Sequence, residues 1–121
     1  MSRPDQQLDI RVEGEAIRLS SRAATALALS VNELVQNAME HAFVGRSGGR
    51  VDILLREATG KLVVEVRDDG TGYAGDRDTR SLGLRIVETL VKDDLRGSFE
   101  LRSGTDGQGT LAVIEAPLSF A

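Results

Sequence analysis

Glu33, Asn37 and His41 stand four residues apart in the run "NELVQNAMEHAF" (32–43). Spacing of i, i+4 and i+8 puts all three on one face of a helix. The amide oxygen of Asn37 is the kind of donor that Mg2+ takes, a hard cation with octahedral demands. Glu33, one turn earlier, can polarise a nucleophile or hold a metal-bound water. His41, one turn later, suits contact with a phosphate. A solvated helix face has the same composition, so this run alone leaves both readings open.

Three glycine-bearing stretches carry the other candidate chemistry. Asp68 ends an apolar run and begins "DDGTGY" (68–73). Glycines placed there make a turn, or let the backbone approach a flat ligand closely. In the second case the Asp68 carboxylate accepts a hydrogen bond from an amino group. That favours adenine, which offers an exocyclic NH2, over guanine, which offers a carbonyl. "SLGL" (81–84) precedes a helical run, and backbone N–H groups at a helix start attract anions such as phosphate. "DGQGT" (106–110) is a third glycine turn, directly before a strand. Each of the three, taken singly, is equally an ordinary turn, a capped helix start or a hairpin.

The elements that must position these residues follow from pattern. "LDIRVEG" (8–14) alternates apolar and polar residues as a half-buried strand does, and "AIRLS" (16–20) suggests a second short strand. Ser20 or Ser21 caps a helix starting near Arg22. Ala24, Leu27, Val31, Leu34 and Ala38 form its apolar stripe, and it runs to about Phe43. "VDILLRE" (51–57) and "KLVVEVRD" (61–68) are strands joined by a hairpin turn at "ATG". "DGTGYAGDRDTRS" (69–81) is almost free of apolar residues and reads as a loop. "LGLRIVETLVKDD" (82–94) is a second helix, and "SFELRS" (98–103) and "TLAVIEAPL" (110–118) are the last strands. This order predicts an α+β two-layer α/β sandwich, a sheet with helices packed on one face.

The 121 residues suggest one domain over 1–121, with an ordered part of about 8–118. Hydrophobic residues make up 40% and aromatics 3%, so the core must come from Leu, Val, Ile and Ala. Net charge is −4, which argues against broad attraction to nucleic acid or anionic lipid. The absence of cysteine excludes disulfides, thiolate metal sites and cysteine nucleophiles. No window approaches the roughly 20 apolar residues of a membrane span. The start, "MSRPDQQLD", has no signal-peptide core. A soluble cytoplasmic domain without nucleic-acid or membrane contact is the expectation.

In combination, "NELVQNAMEHAF", "DDGTGY", "SLGLRIVETL" and "DGQGTLAVIEAPL" resemble the N, G1, G2 and G3 boxes of the ATP-binding catalytic domain of sensor histidine kinases. The wider group includes gyrase, Hsp90 and MutL. The likeness spans roughly residues 8–118 and implies a Bergerat-type fold with a mixed sheet, binding ATP and Mg2+. It implies roles residue by residue. Asn37 binds the Mg2+ that bridges the phosphates. Glu33 serves nucleophile activation or metal-water contacts, and His41 faces phosphate. Asp68 reads the adenine amino group, with Gly70 and Gly72 as its glycines. Ser81, Leu82, Gly83 and Leu84 lie by the phosphates, Ser81 standing where the first G2 glycine is usual. Gly107, Gly109 and Thr110 match G3, where the threonine supports adenine through the Asp68 network. The lid from about Tyr73 to Ser81 is short and lacks an F box, as in compact-lid kinases. Its Arg77 and Arg80 can meet phosphates, or pair with Asp76 and Asp78 in solvent.

The same resemblance implies partners: a histidine-bearing dimerisation domain of the same kinase, and a response regulator downstream. His41 is the one histidine and lies on the ATP-side helix. The chain is therefore expected to be the catalytic piece of a longer kinase, inactive alone in autophosphorylation. Two alternatives stand beside it: an anti-sigma-factor serine kinase of the same fold, and a non-enzymatic interaction module regulated by nucleotide.

Overall fold

The computed structural model describes residues 7–39, 48–70, 82–103 and 109–118. Their elements are β1 (Gln7–Gly14), α1 (Ser21–Asn37), β2 (Gly48–Ala58), β3 (Lys61–Asp68), α2 (Leu82–Asp93), β4 (Ser98–Ser103) and β5 (Thr110–Pro117). The five strands form one sheet in the order β1-β2-β3-β5-β4. β1 runs parallel to β2, and every other neighbouring pair is antiparallel. The α+β fold with a mixed sheet agrees with the expectation.

Period-two alternation decides which face the helices cover. Leu62, Val64 and Val66 of β3 stand opposite Ala116, Ile114 and Ala112 of β5, and all six are buried. Residues directly opposed across a ladder share a face. Val51 and Ile53 of β2 continue that face beyond β3. From the helices, Ala23, Ala26, Leu27, Leu34 and Ala38 of the α1 segment and Leu84, Val87 and Val91 of α2 complete one core cluster. The other face carries Arg11, Asp52, Arg67 and Arg102 in one row and Glu13, Glu65 and Glu100 in the next. The helices thus cover one face, while the other mixes these charged residues with Leu54, Leu111 and the buried Val63 and Val113.

Local chemistry sets the element ends. Ser20 is the N-cap of α1, and its hydroxyl accepts the Ala23 N–H at 3.1 Å. Thr59 and Gly60, both at positive φ (49° and 75°), make the two-residue turn between β2 and β3, the backbone that matches strand twist. After α2 the chain closes back through Gly97 N–H to Val91 O at 2.9 Å, with Arg96 at φ 58°.

Two expectations need correction. Residues 16–20 form no strand: among the described residues the last backbone hydrogen bond to β2 runs from the Glu15 N–H to Leu55 O (3.2 Å), and the chain then leaves the ladder. The alternation of Ile17 and Leu19 reflects packing against the core instead of strand pairing. The apolar stripe of α1 is also rotated. Ala24 is exposed and Val31 half-buried, while Ala23, Ala26 and Ser30 face inward. Ser30 is tolerated there because its hydroxyl donates to Ala26 O at 2.8 Å. The expected end of α1 near Phe43 lies outside the described residues.

Candidate nucleotide site

Asp68 occupies the position where β3 should place its next inward apolar side chain, two residues after Val66 and four after Val64. A carboxylate on the covered face is costly unless it is hydrogen-bonded. Here Oδ1 accepts the Gly70 N–H at 2.9 Å, which folds the chain sharply after the strand. Thr110, the first residue of β5, lies directly opposite Asp68. The same row continues to Val51 on one side and Ser103 on the other. Asp68 and Thr110 are both half-buried at the end of the core face.

Gly109 ties the two strand ends together. Its N–H donates to Gly70 O at 3.1 Å, and both glycines are buried. Gly109 adopts φ 75°, a left-handed backbone that favours glycine. A Cβ there would stand 2.1 Å from Asp68 O. Close approach of the two backbones therefore requires a residue without a side chain. Asp68, Gly70, Gly109 and Thr110, drawn from two stretches some forty residues apart, form one hydrogen-bonded knot.

Asn37 is the last residue of α1, and Glu33 lies one turn earlier; both are half-buried. Between and after them, Leu34 and Ala38 pack into the same core as Val51, Val66, Leu84 and Ala112. The helix widens into a π-type turn at Ala38 and Met39, a local geometry enriched at functional positions. Leu82, Gly83 and Leu84 form the first turn of α2. Leu82 is 74% exposed, Gly83 half-buried and Leu84 buried. His41, Gly72, Ser81 and Gly107, with the lid residues Tyr73, Arg77 and Arg80, lie outside the described residues.

Mg2+ is ordinarily held by one or two protein oxygens together with phosphates and waters. One amide oxygen at Asn37, with a carboxylate one turn away at Glu33, fits that donor set.

Asp69 is a contributor that sequence reading passed over. Its Oδ1 accepts the Arg50 N–H at 2.9 Å, and its own N–H donates to Arg50 O at 3.2 Å. The pair fastens the stretch after Asp68 to β2. The acidic doublet is visible in the sequence, but its partner nineteen residues away is not.

Residues 7–114 match the family of histidine kinase-like ATPase domains. The sensor histidine kinase PdtaS of Mycobacterium tuberculosis is 39% identical over 118 residues, covering 94% of this chain and 23% of that protein. The serine-protein kinase RsbW of Listeria innocua is 30% identical over 93 residues, covering 61% of this chain and 58% of RsbW. Among solved structures, the histidine kinase domain of the Erythrobacter litoralis EL346 blue-light activated histidine kinase superposes with a TM-score of 0.82. That alignment has 33% identity over 97% of this chain and 54% of that one. The chain thus spans about a quarter of the length of the PdtaS relative it matches. It belongs to the histidine kinase-like ATPase domain family.

Proposed function

We propose that this chain binds ATP with Mg2+ as the catalytic domain of a two-component sensor histidine kinase. The γ-phosphoryl group passes to a histidine carried by a separate dimerisation domain and then to an aspartate of a response regulator. The observation that carries this reading is the knot of Asp68, Gly70, Gly109 and Thr110. It holds a carboxylate at the mouth of the core face, where a purine amino group can be met.

In this reading Asp68 accepts from the adenine amino group, and Thr110 and Gly109 hold Asp68 in register. Asn37 supplies the protein oxygen for Mg2+, which when bound neutralises phosphate charge. Glu33 orients the nucleophile or a metal-bound water. Gly70 and Gly72 are the glycines of the Asp68 turn beside the adenine, while His41 and the stretch Ser81, Leu82, Gly83 and Leu84 attend the phosphates, the last three through backbone N–H groups at the start of α2. Transfer breaks the bond between the γ-phosphorus and the β-bridging oxygen and forms a P–N bond to the acceptor imidazole, with ADP leaving. Little covalent work falls to the protein, so positioning and charge carry the rate.

The RsbW likeness supports a second reading, in which the acceptor is a serine on a partner protein. Its coverage, 61% of this chain against 94% for PdtaS, makes it the weaker one. One experiment separates the two. The chain is incubated with γ-labelled ATP, Mg2+ and a histidine-bearing helical hairpin from a related sensor kinase. Label on the hairpin that is acid-labile and alkali-stable is expected. A hairpin that stays unlabelled while the chain binds ATP would overturn the proposal; in a parallel incubation with a small antagonist protein in place of the hairpin, acid-stable label on that protein would favour the serine kinase.

A further inference from the structure

One margin of the sheet carries its apolar residues into solvent. Among the described residues β1 pairs with β2 alone. Ile10 and Val12 stand opposite Val51 and Ile53 on the helix-side face, yet they are 45% and 65% exposed, whereas Val51 and Ile53 are buried. The other margin is built differently. Phe99 and Leu101 of β4 lie on the same face, but they pack against the core beneath α2. An eight-residue edge with uncovered apolar side chains is a template for another strand.

The charges on the opposite face of β1 select the occupant. Asp9, Arg11 and Glu13 alternate there, all exposed. We propose that β1 is the docking edge for a second copy of this chain, the two β1 strands running antiparallel about a two-fold axis through Ile10. That axis sets each Asp9 opposite the other copy's Arg11, and Ile10 opposite Ile10. Opposite charges directly across a ladder stabilise it, and like charges destabilise it. An axis through Arg11 would oppose two guanidinium groups and set Asp9 against Glu13. An axis through Val12 would set Val12 against Val12 and Arg11 against Glu13, but it would also set Ile10 against Gly14 and oppose the like charges of Asp9 and Glu15. Of these three, the Ile10 axis alone joins apolar contact to complementary charges without opposing like charges. Asp9 and Arg11 already pair within the strand at 3.2 Å, so the dimer closes a ring of four alternating charges. The two sheets become one, and β3 with its Asp68 knot lies two strands from the seam.

The test is the molar mass of the full chain across a concentration series, by light scattering or sedimentation. A monomer–dimer equilibrium is expected. Arg11→Asp should weaken it by roughly tenfold, since two cross-strand attractions become repulsions. The exchange of both charges, Asp9→Arg with Arg11→Asp, should restore it. Because the chain has no cysteine, Ile10→Cys gives a clean second readout: mild oxidation should link two copies through position 10, and Val12→Cys should not. Circular dichroism checks that each variant folds. A chain that stays monomeric throughout would assign the edge to a different occupant and overturn the proposal. A dimer indifferent to Arg11→Asp, failure of the double exchange, or linkage through position 12 instead of position 10 would overturn it too.

Discussion

Replacing Gly109 by alanine should damage both the fold and the nucleotide site, by an amount the geometry sets. At φ 75° a residue with a side chain costs about 1–2 kcal/mol. The added Cβ would lie 2.1 Å from Asp68 O, so the β3 and β5 ends must part. That movement endangers the 3.1 Å bond from Gly109 N–H to Gly70 O, with a net value of about 0.5–1.5 kcal/mol. The sum is about 2–4 kcal/mol once residual strain is included. Gly60 is the natural control. It has the same φ of 75°, but a Cβ there meets nothing within 4 Å, so Gly60→Ala carries the backbone cost alone. With a urea slope of about 1.5 kcal/mol/M, the midpoint should fall by about 2 M for Gly109→Ala and about 1 M for Gly60→Ala. Calorimetric titration without denaturant should show ATP affinity at least about tenfold lower in Gly109→Ala, a 1.4 kcal/mol effect, and unchanged in Gly60→Ala. Equal midpoint shifts, with equal ATP affinity, would refute the claim that Gly109 holds Asp68 in place.

Asn37→Ala should remove the dependence of nucleotide affinity on Mg2+, measured by titration with and without the ion; an unchanged Mg2+ response would show that the cation rests elsewhere. Arg96→Gly should stabilise the fold by about 0.5–1 kcal/mol, because Arg96 sits at φ 58° where glycine is unstrained. Thermal unfolding reads this as a small rise in Tm, and a fall would show that the arginine side chain does more than cap α2.

The strands were legible wherever alternation coincided with pairing. Leu62, Val64 and Val66 predicted β3, and their burial against β5 agrees. Where alternation arose without pairing, at Ile17 and Leu19, it misled, since side-chain pattern reports burial and not hydrogen bonding. The phase of α1 was ambiguous because Ala23 and Ala24 are adjacent and equally small; packing against the sheet and α2 chose Ala23. At the site, glycine-rich motifs marked Asp68 and Gly109 one by one, and their mutual approach awaited the β3–β5 register. The exposure of Ile10 and Val12 was hidden for a related reason. A strand pattern does not say which strand ends at the margin, beyond the helices.

The account depends most on the Asp68 carboxylate meeting the adenine amino group. Asp68→Asn keeps an oxygen for the Gly70 N–H and turns the other oxygen into an NH2 donor. Titration of parent and variant with ATP, and with inosine triphosphate, which has an oxygen in place of that amino group, tests it directly. The parent should prefer ATP by about tenfold or more, as expected for a hydrogen bond to a charged group, and Asp68→Asn should erase that preference mainly by losing ATP affinity. The same ATP-to-inosine triphosphate ratio in both proteins would contradict the account.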